Sequence, residues 1–205
     1  FVNSLANDSL GLSNGSVYHF CKVFSSKAEP YIFELEEELL NEKVVATDAT
    51  NVTVDRKQCY VRNFSAFRTV VYRALKSKAI SALEKLRFLE KYTGILIHDH
   101  ETALYHFGTG HGECNVHIIR YLRKNTEDTK NSWSDEMIQL LCEMNNNRKK
   151  AMESGSGSFS TEIISDYENR YKKLIQKGRQ ENKTTKHKYA KSKENTLLNR
   201  MEKYQ

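Results

Sequence analysis

The sequence has no apolar run long enough to span a bilayer, no CxxC pair, no internal repeat and a single proline. The first absence excludes a membrane-spanning helix, which needs about 20 mostly apolar residues. The opening stretch, FVNSLANDSLGLSNG, lacks the basic region and long apolar segment of a secretory leader. A cytoplasmic protein is expected, with no membrane partner and no small-molecule cofactor. The four cysteines, Cys21, Cys59, Cys114 and Cys142, are widely spaced. With no secretory signal, reduced thiols are expected rather than a disulfide frame.

What is present suits a folded chain. Charged residues make up 28% and hydrophobic ones 39% of 205 residues, enough for one good core and a helical appendage, and too apolar for disorder. The chain opens on Phe1 and ends on RMEKYQ in mid-helical pattern, so a piece of a longer protein is expected. The net charge of +6 is uneven. Residues 170–205 hold twelve Lys or Arg against three Glu, a net +9, which leaves −3 on the rest. A basic tail on a mildly acidic body suits an anionic polymer such as nucleic acid. Lys172, Lys173, Lys177, Arg179, Lys183, Lys186, Lys188 and Lys191 are the candidate phosphate contacts, with Tyr171 and Tyr189 as stacking candidates. A solvated lysine-rich helix is the competing reading.

Periodicity divides the chain. Residues 1–42 read as a helical segment: Val17, Phe20, Cys21 and Phe24 share one face, and Pro30 is placed to start a second helix with a stripe at Ile32, Leu35 and Leu39. From residue 43 the period shortens. KVVATDATNVTVD is rich in β-branched residues, RKQ reads as a turn, and CYVRNF and RTVVYRAL continue a three-strand meander. A helix through SKAISALEKLRFLEKY leads to ILIHD, which reads as a strand buried on both faces. A short helix over ETALYHF, a fifth strand near GECNV and a helix from NVHIIRYLRKN follow. Beyond residue 126 the pattern is helical, with a start at Ser132 and a flexible break at ESGSGS. The expected fold is α/β, a central mixed sheet with helices on both faces. The expected division is 1–42 (helical), 43–125 (core) and 126–205 (helical and basic).

Two aspartates carry the chemistry. Asp48 lies in mid-strand, where aspartate is disfavoured, and Asp99 ends the next apolar strand after the meander. Should the first and fourth strands be neighbours, the two carboxylates meet at strand ends, where α/β sheets gather ligands. Such a pair repels itself unless a cation lies between, and oxygen ligands favour Mg²⁺ or Mn²⁺. Two metals held this way serve in-line phosphoryl transfer. The bland alternative makes Asp48 the cap of a bulge and Asp99 the cap of a helix.

VVATDATNVTV, GILIHDHETALYHFG and CNVHIIRYL resemble, in order and spacing, the catalytic core of DDE transposases of the insertion sequence 66 family. The resemblance runs from about residue 10 to the chain end. It implies a ribonuclease-H-like fold, with a three-strand meander plus parallel strands, flanking helices and a mainly helical C-terminal insertion. It gives Asp48 the role of the first acid, with Ala49 where the family has glutamate, and Asp99 that of the second, with Tyr105 in the same motif. Cys114, His117 and Arg120 match a C-x-x-H-x-x-R signature, and His117 and Arg120 are implied to bond a catalytic aspartate or a phosphate. The family's third acid, a glutamate in N-N-x-x-E-x-x-x-R, has no matching motif here and is expected beyond Gln205. The activity implied is Mg²⁺- or Mn²⁺-dependent hydrolysis and strand transfer at insertion-element ends, by a bacterial protein that pairs those ends as a homo-oligomer. Two rivals stand beside it. One is a non-catalytic DNA-binding or assembly module derived from a transposase. The other is a zinc protein using His111, Cys114 and His117, although Cys114, His117, Ile118, Tyr121 and Leu122 also fall on one apolar, core-facing helix face.

Overall fold

The computed structural model describes residues 12–204, so the part of the helical and family readings that falls on residues 1–11 lies outside the described residues. The chain forms two compact units, Phe1–His111 and Gly112–Gln205. Among the described residues no helix is long and apolar enough to cross a membrane.

The first unit begins with α1 (Asn14–Leu40), capped by Ser13, whose hydroxyl accepts the Ser16 N–H at 3.0 Å. The helix is continuous through Pro30, not broken there into two. An interior proline costs about 3 kcal/mol. The C-terminal half of α1 offsets that cost by docking. Leu39 is fully buried, Glu36 and Glu29 accept from Arg73 at 2.7 and 3.3 Å, and Glu38 accepts from Thr69 at 2.6 Å. The N-terminal stripe differs from expectation: Val17 is buried, but Phe20, Cys21 and Phe24 are exposed.

The sheet has the order β3-β2-β1-β4-β5, formed by β1 (Val44–Val54), β2 (Lys57–Ser65), β3 (Val70–Leu75), β4 (Ile95–His98) and β5 (Gly110–Glu113). The meander is antiparallel and β4 runs parallel to β1. The β1–β2 hairpin turns on Asp55 and Arg56, both at positive φ (51° and 61°), the backbone of a two-residue turn that matches strand twist. Lys57 and Gln58, expected in the turn, already belong to β2.

Alternation sends Val45, Phe64, Val71, Leu75 and Leu96 into one core with Leu39, Leu83, Leu86, Phe88, Leu89, Tyr92, Leu104 and Phe107. Within this unit the helices cover one face only. Val44, Val70, Tyr72 and Ile95 on the other face are 42–65% exposed. For the same reason β4 is buried on one side through Leu96 and His98, and not on both. The helix expected over residues 77–92 is split into α2 (Ile80–Leu83) and α3 (Arg87–Lys91). Leu86 and Phe88 are both buried, and one continuous helix would place residues two apart on nearly opposite sides. The break at Leu86 admits both.

The second unit contains α4 (Asn115–Thr129), α5 (Trp133–Glu153), α6 (Thr161–Thr184) and α7 (Lys188–Lys203). Its core gathers Leu122, Trp133, Met137, Leu140, Tyr167, Ile175, Leu198 and Met201. At its centre Glu194, 1% exposed, accepts from Trp133 Nε1 (2.6 Å), Asn131 (2.8 Å), Asn182 (2.8 Å) and Asn125 (3.1 Å). Burial alone would push this carboxyl up, but the four donors outweigh it and hold it below its ordinary value. Gly178 allows the closest helix approach. A Cβ there would lie 2.7 Å from Leu198 and 2.8 Å from Trp133. Ser132 does not cap α5 with its side chain. Glu181 does so instead, accepting from the Trp133 N–H (3.1 Å) and the Ser132 hydroxyl (2.8 Å).

Candidate metal centre

The parallel ladder between β1 and β4 pairs Val44 with Ile95, Val45 with Leu96 and Ala46 with Ile97. The same offset carries Asp48 onto Asp99. The pairing between these two strands has stopped by then, but their alternation continues, so both carboxylates lie on the face of the sheet opposite the core of this unit. Asp48 is exposed and Asp99 half-buried, and their carboxylate oxygens lie within 4.8 Å of each other. Two sequence-distant acids are thereby gathered, Asp48 from the middle of β1 and Asp99 from just past the end of β4.

Local bonds hold each backbone. The Asp48 N–H donates to Asn63 Oδ1 at 2.8 Å, and Asp48 Oδ1 accepts from the Ala49 N–H at 2.8 Å. The Asp99 carbonyl accepts from the Glu101 N–H at 2.7 Å and from His98 Nδ1. The short 3₁₀ helix Thr102–His106 has no side-chain cap, so Asp99 does not serve as one. Beneath the pair, on the covered face, Thr47 donates to the Asn63 carbonyl at 2.7 Å and accepts from Arg62 Nη1 at 3.1 Å. Arg62 is fully buried and forms an ion pair with Glu101, which also meets Lys78 at 3.5 Å.

The donor set suits a hard divalent cation. Two carboxylates this close cost electrostatic energy unless a positive charge lies between them, and their oxygens match Mg²⁺ or Mn²⁺ in type.

The histidines divide. His98 is 1% exposed and faces the core side. A carbonyl only accepts, so His98 Nδ1 carries the proton given to Asp99, and Nε2 accepts from His111 Nδ1 at 3.2 Å. Tyr105 packs edge-on against His98 (4.9 Å between ring centres) and tilted against His111 (4.7 Å). Burial, with the neighbouring His98 second, lowers the His111 pKa from its usual 6.5. His111 is thus engaged with His98. His111, Cys114 and His117 do not form a ligand cluster among the described residues, which removes the geometric basis of the zinc reading.

In the second unit Cys114 precedes α4 and His117 lies in its first turn, both half-buried and not in the core as their helix face suggests; Arg120 and Tyr121 are exposed. Of the eight basic candidates, three are used inside the unit. Lys177 meets Glu136 at 2.5 Å, Arg179 meets Glu202 at 2.6 Å, and Lys191 donates to the Lys183 carbonyl at 2.9 Å. Lys172 has only its i,i+4 partner Glu168 at 3.6 Å, and Lys173, Lys183, Lys186 and Lys188 are exposed. Tyr171 is half-buried and donates to the Met201 carbonyl at 2.8 Å, whereas Tyr189 is 63% exposed. The sequence reading missed Arg62, Asn63 and Glu101. Their one visible signal was an arginine inside a strand otherwise facing the core.

A mixed α/β sheet with carboxylates from two parallel neighbours close together has the form of an α/β protein with a candidate ligand site at its sheet. The sequence profile described as "Transposase IS66 family" matches residues 1–205, and the chain belongs to that family. Membership implies divalent-metal dependence and DNA as a partner in general terms. No curated protein matches the chain.

Proposed function

We propose that this chain carries the ribonuclease-H-like catalytic core of a DNA transposase, with Asp48 and Asp99 as metal-holding acids. The observation that supports this most is the approach of those two carboxylates, carried by neighbouring parallel strands, to within 4.8 Å. Mg²⁺ or Mn²⁺ between them would supply Lewis acidity toward a phosphodiester. The reaction proposed is attack of water on phosphorus, which breaks a P–O bond and frees a 3′-hydroxyl at the element's end. That hydroxyl then attacks a second phosphodiester, forming one P–O bond and releasing another 3′-hydroxyl. His117 and Arg120 take, from the family resemblance, the role of bonding phosphate or steadying a carboxylate. Lys173, Lys183, Lys186 and Lys188, with Lys172, are the phosphate contacts favoured by exposure. In functional terms the division stays 1–42, 43–125 and 126–205, with a bacterial insertion element as source and a homo-oligomer as working form.

A second reading, a DNA-binding module without catalysis, is favoured by Ala49 in the first motif. One experiment separates the two: Mn²⁺-dependent nicking of supercoiled DNA by the complete transposase and by its Asp48→Asn and Asp99→Asn variants. The catalytic reading expects loss of at least about a hundredfold in each variant. Nicking unchanged in either variant would refute it.

A further inference from the structure

We infer that Arg62 is a positioning residue: its buried guanidinium sets the separation of Asp48 and Asp99 from the opposite face of the sheet. This rests on the metal-centre reading above. Backbone pairing between β1 and β4 ends at Ala46 and Ile97, two residues short of each aspartate. The ladder therefore does not fix how far apart the carboxylates stand. Arg62 spans that gap. Its Nη1 donates to Thr47, the residue before Asp48, and its Nη2 pairs with Glu101, two residues after Asp99. The Asp99 carbonyl accepts the Glu101 N–H, so Glu101 and Asp99 move together. Thr47 in turn is bonded to the Asn63 carbonyl, and Asn63 holds the Asp48 N–H. One side chain thus ties both aspartate-bearing segments, each through a chain of one or two hydrogen bonds.

The energetics point the same way. Arg62 is 0% exposed, and its Nε has no hydrogen-bond partner. Burying an incompletely satisfied guanidinium is a poor route to stability, and an apolar pair in its place is often as stable or more so. A rigid planar fork is, however, well suited to hold two groups at fixed spacing, which lysine would not do. Arg62 also places a positive charge beneath two like-charged carboxylates, with Glu101 moderating it.

The test measures Mn²⁺ affinity, by the electron paramagnetic resonance signal of free Mn²⁺, alongside thermal unfolding of the same samples. The proteins are the complete chain and its Asp48→Asn, Thr47→Val, Arg62→Met and Arg62→Met/Glu101→Met variants. The double variant replaces the ion pair by apolar groups and is expected to unfold near the parent's temperature. Its Mn²⁺ affinity is expected to fall about tenfold or more, as for groups that orient metal ligands. Thr47→Val, nearly isosteric, is expected to weaken Mn²⁺ binding in the same direction and serves if the Arg62 variants do not fold. Should the folded variants bind Mn²⁺ as tightly as the parent while Asp48→Asn does not bind, the positioning role is wrong and the metal centre stands. Should the parent fail to bind, or Asp48→Asn bind normally, the metal-centre reading falls and this inference with it.

Discussion

Glu194 is the residue on which the helical unit depends most visibly. Replacing it with leucine takes the acceptor from the Trp133 indole and one of two acceptors from each of Asn125, Asn131 and Asn182, at about 1–3 kcal/mol for each buried N–H left unsatisfied. Loss of about 3 kcal/mol or more is expected by denaturant unfolding. Because the folded carboxyl lies below its ordinary 4.5, Glu194 contributes stability above that pH, and the contribution fades as pH falls through the depressed value. His111 works in the opposite range. Its folded pKa is lowered below 6.5, so protons favour the unfolded chain, and stability is expected to fall as pH drops below 6.5 toward the depressed value. His111→Phe should flatten that part of a melting-temperature profile against pH. At this scale Asp48 and Asp99 were legible in the sequence, since an acid in a β-branched run and another closing an apolar strand stand out against propensity. Arg62 and Glu101 were not. They meet across 39 residues of chain, and nothing local marks a partner that distant.

Among the elements, the β1–β2 hairpin offers the sharpest check. Arg56 sits at φ 61°, where a side chain is strained and glycine is not. Arg56→Gly is expected to stabilise by about 0.5–1 kcal/mol, read as a rise in melting temperature with the ladder unchanged. Gly178→Ala should do the reverse, by about 1–3 kcal/mol, because a Cβ would press on Leu198 and the Trp133 ring. The strands were readable because a period of two survives in short windows, and the meander and its parallel neighbour followed. The helix boundaries at Pro30 and Leu86 were misread for one physical reason. Tertiary docking decided both: α1 continues through a proline because its far half is anchored by Arg73 and Thr69, and the second helix breaks because two buried side chains demand it.

For the whole molecule, the two units have separate hydrophobic clusters. Hydrogen exchange of Glu194→Leu is expected to lose protection across α4–α7 and keep it in β1–β4. Protection lost equally from both would mean that they unfold as one body. The charge asymmetry was visible in composition, but its use was not. Folding commits Lys177, Arg179 and Lys191 to partners within the helical unit, and only a side-chain structure sorts such residues from the exposed lysines.

The sequence has one tryptophan, and Trp133 is fully buried in the helical unit with its indole N–H donated to a carboxylate. Tryptophan emission, excited at wavelengths that tyrosine does not absorb, is therefore an optical probe of that unit. It should shift to the red when the helices melt. A fluorimeter trace followed through denaturation therefore reads, with no label attached, the melting of the helices around that one ring.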